Sequence, residues 1–160
     1  IHGAVYEARD DVNAVVHHHA YYVVPCGVTS QPLVPLTHTA AVIGKHVPVW
    51  DIAEQYGDTD TLARTMEKGR DLAATLADNT CVLMRGHGAV VVGATVQEAV
   101  ISAVYLEINA RILTQALSFG ESPRILSDRE VELARETQFS SLGLDRAWEY
   151  FCRRAGVNVI

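Results

Sequence analysis

Residues 80–93 constrain the fold more than any other stretch, being apolar on either side of a short Arg85-Gly86-His87-Gly88 insert. The pattern reads as strand, tight turn, strand, since glycine admits the sharp backbone bends that other residues resist. A second β-branched run of strand length, beginning at Val12, leads into His17-His18-His19. Residues 32–36 and 47–50 read as short strands, with Pro32, Pro35 and Pro48 marking edges or strand starts. Helical spacing runs over residues 59–77 through Leu62, Met66, Leu72 and Leu76. Thr95-Val96-Gln97-Glu98 is a capping-box pattern opening a long helix to about Ser118, and Ser127-Asp128-Arg129-Glu130 opens another. Residues 2–9 fit the end of a helix, residues 20–27 a short helix broken by Pro25, and residues 144–155 a terminal helix. Strands interleave with helices, so the expected class is α/β or α+β around one central sheet.

A chain of 160 residues, 49% hydrophobic, suits one domain with a sizeable core. Its net charge of −6, with scattered arginines and only Lys45 and Lys68 as lysines, speaks against nucleic acid as a partner. No apolar run approaches the roughly 20 residues of a membrane span, so no membrane partner is expected. Cys26, Cys81 and Cys152 are far apart and odd in number, which fits reduced thiols in a cytoplasmic protein. The first residues lack both Met and a basic leader region and read as mid-helix, so the sequence is expected to begin inside a larger domain.

Seven histidines are present, three of them adjacent. Side chains alternate along a strand, so His17 and His19 share a face and His18 points away. Two imidazoles so spaced can converge on one cation if a third ligand closes the site, and His87, between two glycines, is the best third candidate. The same spacing also fits core or surface histidines and a turn that is merely a turn. His46 reads as a solvated loop residue, and His38, between Thr37 and Thr39, is ambiguous.

The segment 8–19, Ala-Arg-Asp-Asp-Val-Asn-Ala-Val-Val-His-His-His, together with Leu83-Met84-Arg85-Gly86-His87-Gly88-Ala89-Val90-Val91-Val92-Gly93, resembles the class II aldolase/adducin family. Glu98-Ala99 and Glu107 match the helix that follows in that family. Asp10 stands where a proline is usual. The resemblance spans essentially residues 1–160, which are expected to be the C-terminal two-thirds to three-quarters of such a domain. It implies a three-layer α/β/α architecture with a central mixed, largely antiparallel sheet. It further implies His17, His19 and His87 as ligands of one divalent ion per subunit (zinc, manganese or iron), and a homotetramer. An acidic ligand or acid/base residue and the phosphate-binding loops of the sugar-phosphate aldolases would lie before Ile1.

His38 stands where the fuculose-phosphate aldolases carry an acid tyrosine. This feature, Ile1-His2-Gly3 and Asp145-Arg146-Ala147-Trp148 are similar to the decarboxylase branch acting on hydroxypyridine dicarboxylates and hydroxyphthalates. The reaction expected is therefore metal-dependent carbon–carbon cleavage of a small-molecule hydroxy-aromatic carboxylate. His38 is expected to deliver the proton, His2 to line the pocket, Arg85 to meet a carboxylate, and Tyr150 with Arg153 to reach a neighbouring subunit's site. Each also has a structural reading: a core imidazole for His38, packing for His2, a strand residue facing away for Arg85. Glu107 and Arg111 read as a helix ion pair, and Trp148 with Phe151 as a hydrophobic helix face. The alternatives are a phosphorylated-ketose aldolase or epimerase, an adducin-like interaction module, and an iron oxygenase.

Overall fold

The computed structural model describes residues 1–158. The elements are α1 His2–Ala8, β1 Ala14–His18, α2 Val23–Cys26, a 3₁₀ turn Thr39–Ile43, β2 Val49–Trp50, α3 Ile52–Tyr56, α4 Met66–Leu76, β3 Cys81–Met84, β4 Gly88–Gly93, α5 Val96–Ser118, α6 Asp128–Gln138 and α7 Ser141–Arg154. The sheet has the order β1-β4-β3-β2. β4 runs antiparallel to both β1 and β3, while β2 is parallel to β3, so the sheet is mixed and largely antiparallel.

β3 and β4 are apolar on consecutive residues because both faces of the sheet are covered. Cys81, Leu83, Ala89 and Val91 enter one core with Val42, Leu106 and Leu113, while Val82, Met84, Val90 and Val92 enter another with Val5, Leu72 and Leu76. The alternation assigns α5 to one face and α1 with α4 to the other, which makes three layers. Val15 joins the second core and Val16 the first. His17 therefore lies on the α1/α4 side, and His18 faces α5.

Two glycines set close approaches between elements. A Cβ on Gly88 would sit 2.1 Å from the His18 carbonyl oxygen, and one on Gly93 would sit 2.6 Å from the Ala99 nitrogen. The first lets β1 lie tight against the hairpin, and the second lets α5 turn back onto the sheet. The helix starts behave as the sequence suggests. Thr95 accepts from the Glu98 N–H, and Ser127 with Glu130 forms a reciprocal capping box.

Several sequence expectations need correction. Residues 32–36 form no strand; the Asn109 side chain, fully buried on α5, donates to the Val34 carbonyl at 2.8 Å and accepts from the Leu36 N–H at 3.0 Å. One amide thus does locally what a neighbouring strand would do, in a segment whose prolines cannot donate. The helix expected over 59–77 begins only at Met66, capped by Thr65, because residues 59–64 form a loop in which Thr61 has φ +62°. Leu62 therefore belongs to the loop. Glu107 and Arg111 form no ion pair among the described residues. Glu107 accepts from the Tyr22 N–H at 3.2 Å, and the Arg111 guanidinium lies 5.7 Å from the Tyr22 ring centre.

Candidate metal centre

The β3–β4 hairpin carries His87 in the turn between Met84 and Gly88, closed by a 3.0 Å bond from the His87 N–H to the Met84 carbonyl. Gly86 has φ +66°, in the left-handed region that glycine enters without a Cβ penalty. β1 lies antiparallel to β4 with His18 opposite Ala89, so the residues around His18 and those beside His87 meet at the same end of the sheet. Sequence separation of seventy residues is thereby erased by strand pairing.

His17, His19 and His87 each offer a ring nitrogen, and these nitrogens lie within 4.8 Å of one another. The ring centres are 4.7, 4.8 and 5.0 Å apart, all meeting at an angle rather than stacked. His17 Nδ1 lies 3.0 Å from the Ala89 carbonyl oxygen, and His87 Nδ1 lies 3.1 Å from that of Thr61. A carbonyl oxygen only accepts, so both Nδ1 atoms carry the proton and both Nε2 lone pairs are left bare. His19 Nε2 faces His17 Nε2 at 3.0 Å. Zinc–nitrogen bonds of about 2.1 Å place neighbouring ligand nitrogens a little over 3 Å apart. The His17–His19 pair is at that separation and the whole set lies within 4.8 Å, so these three rings, two of them backed by carbonyls, could hold a divalent ion.

Burial holds the His17 imidazolium below the ordinary histidine range, an effect the Ala89 carbonyl partly offsets and the nearby His87, His19 and His2 reinforce. His18 is lowered mainly by burial and then by its two histidine neighbours. Neutral rings are the form a cation needs.

The structure divides the remaining sequence-named residues into two groups. His2 is exposed on α1, close enough for its charge to act on His17. Arg85 leaves the hairpin turn and its Nε lies 2.6 Å from Asp51 Oδ2, an ion pair whose N–H is not aligned for a hydrogen bond. Arg85 in turn holds the Asp51 carboxyl below the usual carboxylate range. His38 and Tyr150 lie elsewhere. They line a cavity of about 460 Å³ between the 3₁₀ turn, α5 and α7, together with Tyr105, Arg146 and Thr137, and none of the three clustered histidines lines it. Arg153 is paired with Glu149 on its own helix. Burial raises the Tyr105 phenol, with Tyr150 contributing.

Sequence reasoning did not find the carbonyls of Thr61 and Ala89, because a backbone acceptor leaves no side-chain signature. It also passed over Asp51 as the partner of Arg85, and Tyr105 and Arg146 as lining residues.

The chain belongs to the class II aldolase family: the family model described as "Class II Aldolase and Adducin N-terminal domain" matches residues 1–114. Among curated relatives, the decarboxylase tropJ of Talaromyces stipitatus is 31% identical over 96% of this chain and 65% of its own length. L-fuculose phosphate aldolase of Escherichia coli K12 is 28% identical over 89% of this chain and 63% of its own length. A solved L-fuculose 1-phosphate aldolase superposes with a TM-score of 0.69 at 28% identity, covering 85% of this chain and 60% of that one. The chain thus spans a little under two-thirds of the length of the relatives it matches. Among the described residues, no helix is long and apolar enough to cross a membrane.

Proposed function

We propose that residues 1–160 form most of a class II aldolase-like domain, acting as a divalent-metal-dependent carbon–carbon lyase. Its substrate is a hydroxylated aromatic or heteroaromatic carboxylate, which it decarboxylates. The observation that carries the reading is the convergence of the His17, His19 and His87 ring nitrogens within 4.8 Å, two with Nδ1 committed to carbonyls. The chemistry a bound zinc, manganese or iron ion supplies there is a sink of positive charge for the electron pair released when a carbon–carbon bond breaks.

The chain's own residues do the rest. His17, His19 and His87 would hold the ion through Nε2. Arg85, neutralised in part by Asp51, keeps further N–H groups for a carboxylate, and His2 borders the same face. His38 delivers the proton that replaces the departing carboxyl, from a ring nitrogen, and Tyr150 with Arg146 binds the substrate's far end. Since His38 and Tyr150 line a cavity apart from the three histidines, they act on a neighbouring subunit's metal centre in a homotetramer. The reading places the protein in the cytoplasm.

A lyase acting on a phosphorylated ketose such as fuculose 1-phosphate is the second reading, favoured by the fuculose-phosphate aldolase relatives. The imidazole at position 38 supports the decarboxylase instead. An adducin-like interaction module would have no use for three converging imidazoles. The deciding experiment measures metal content after gentle purification, then carbon dioxide release from 4-hydroxyphthalate and dihydroxyacetone phosphate release from fuculose 1-phosphate. Stoichiometric metal with carbon dioxide release is expected. Turnover of the ketose alone would establish the aldolase, and a metal-free protein would end both enzyme readings.

A further inference from the structure

We propose that Thr61 is a positioning residue of the metal centre, its strained backbone aiming the carbonyl that keeps His87 protonated at Nδ1 and bare at Nε2. The inference rests on the metal-centre reading. A neutral imidazole has one N–H, and whichever nitrogen finds an acceptor keeps it. His17 obtains its acceptor from Ala89, within the regular β1–β4 pairing, so the sheet supplies it directly. His87 has no such neighbour in the sheet. Its acceptor comes from a loop 26 positions earlier, at 3.1 Å.

That loop is bent into place at Thr61, whose φ of +62° is unfavourable for any β-branched residue. Such a conformation persists only where the surroundings impose it, and such residues gather at functional sites. The Thr61 N–H donates to Thr59 Oγ1 at 3.0 Å, and the Thr61 hydroxyl donates to the Asp60 carbonyl at 2.7 Å. The Leu62 N–H donates to Asp60 Oδ1 at 3.2 Å, and Arg64 pairs with Asp60 at 3.1 Å. The first two bonds fix the peptide before Thr61, and the Leu62 N–H bond fixes the one after it, whose carbonyl faces His87.

The test compares Thr61→Gly, which enters the left-handed region freely, with Thr61→Pro, whose ring fixes φ near −65° and removes the N–H bound to Thr59. In the metal-free wild type, nitrogen–proton NMR of the His87 ring is expected to show Nδ1 protonated. Thr61→Gly keeps that tautomer and binds cobalt(II) within about twofold of wild type. Thr61→Pro populates both tautomers and loses about 10–100-fold in cobalt affinity, as expected when an outer partner of a ligating histidine is lost. Should the proline variant unfold by circular dichroism, Thr59→Ala, which removes only the hydrogen bond to the Thr61 N–H, is read in its place with a shift in the same direction. An Nε2-protonated His87 in the wild type, or a folded variant with unchanged tautomer and cobalt affinity, overturns the proposal. A wild type that takes up no metal defeats the functional reading instead, while the tautomer spectra still decide the role of Thr61.

Discussion

Gly88 stands where β1 presses closest to the hairpin, and its missing Cβ is what allows His19 to reach the centre. A methyl group there would meet the His18 carbonyl at 2.1 Å and the His19 ring at 3.0 Å. Backbone cannot yield as a flexible side chain can, so Gly88→Ala is expected to destabilise the fold by at least the roughly 1–3 kcal/mol typical of overpacking, and to weaken metal binding. Urea denaturation and a metal-competition titration measure the two effects. His87→Ala should leave the fold intact, because the ring sits at the turn rather than in either core. Its metal affinity should drop by more than the roughly 10–100-fold that loss of an outer partner costs, checked by metal analysis beside circular dichroism. Protons compete for the same rings. His17 and His18 titrate below an unfolded histidine, so the unfolded chain takes up protons first as the pH falls. The stability of the metal-free protein is thus full above about pH 6.5 and declines as pH drops from there through the lowered folded values. A melting temperature that stayed flat between pH 7 and pH 5 would contradict this.

At the level of elements, α5 is the beam to which the rest is fastened. Leu106 is fully buried between α5 and the sheet, so Leu106→Ala should cost about 2–5 kcal/mol in unfolding free energy. The Glu107 carboxylate ties the start of α2 to α5 through the Tyr22 N–H, and burial holds its proton affinity above the usual carboxylate range. Asn109, two residues on, ties down the proline-containing segment 32–36. Apolar spacing made α5 itself legible from Thr95 onward, since a capping threonine and a long apolar face are local properties. The tasks of Glu107 and Asn109 were not legible, because each side chain answers to backbone brought from more than seventy residues away. Helix spacing likewise overran into residues 59–64. Leu62 fits the period, but the turn that carries Thr61 towards His87 interrupts the helix.

Across the whole molecule, most of the residues named for chemistry fall at two places, the cluster of His17, His19 and His87 and the cavity lined by His38, Tyr105, Arg146 and Tyr150. If neighbouring subunits complete one another's sites, His87→Ala and Arg146→Ala should each be inactive alone, yet regain part of the activity when unfolded together and refolded as mixed oligomers. Mixing that restores nothing would confine catalysis to one subunit. The relatives extend by about a third of their length or more beyond the part matched here.

What the order of residues determined unaided was periodic or local: the apolar hairpin, the alternation that puts His17 and His19 on one face, the helix caps, and two histidine motifs specific enough to indicate the family. Tertiary structure alone decided which carbonyls hold the rings, that Arg85 is engaged by Asp51, and that His38 lies away from the three histidines. The physical reason is that periodicity is written into neighbouring residues, whereas a hydrogen-bond partner or a shared cavity depends on where distant backbone comes to rest. Backbone carbonyls are identical at every position, so only the folded geometry distinguishes that of Thr61 from the others.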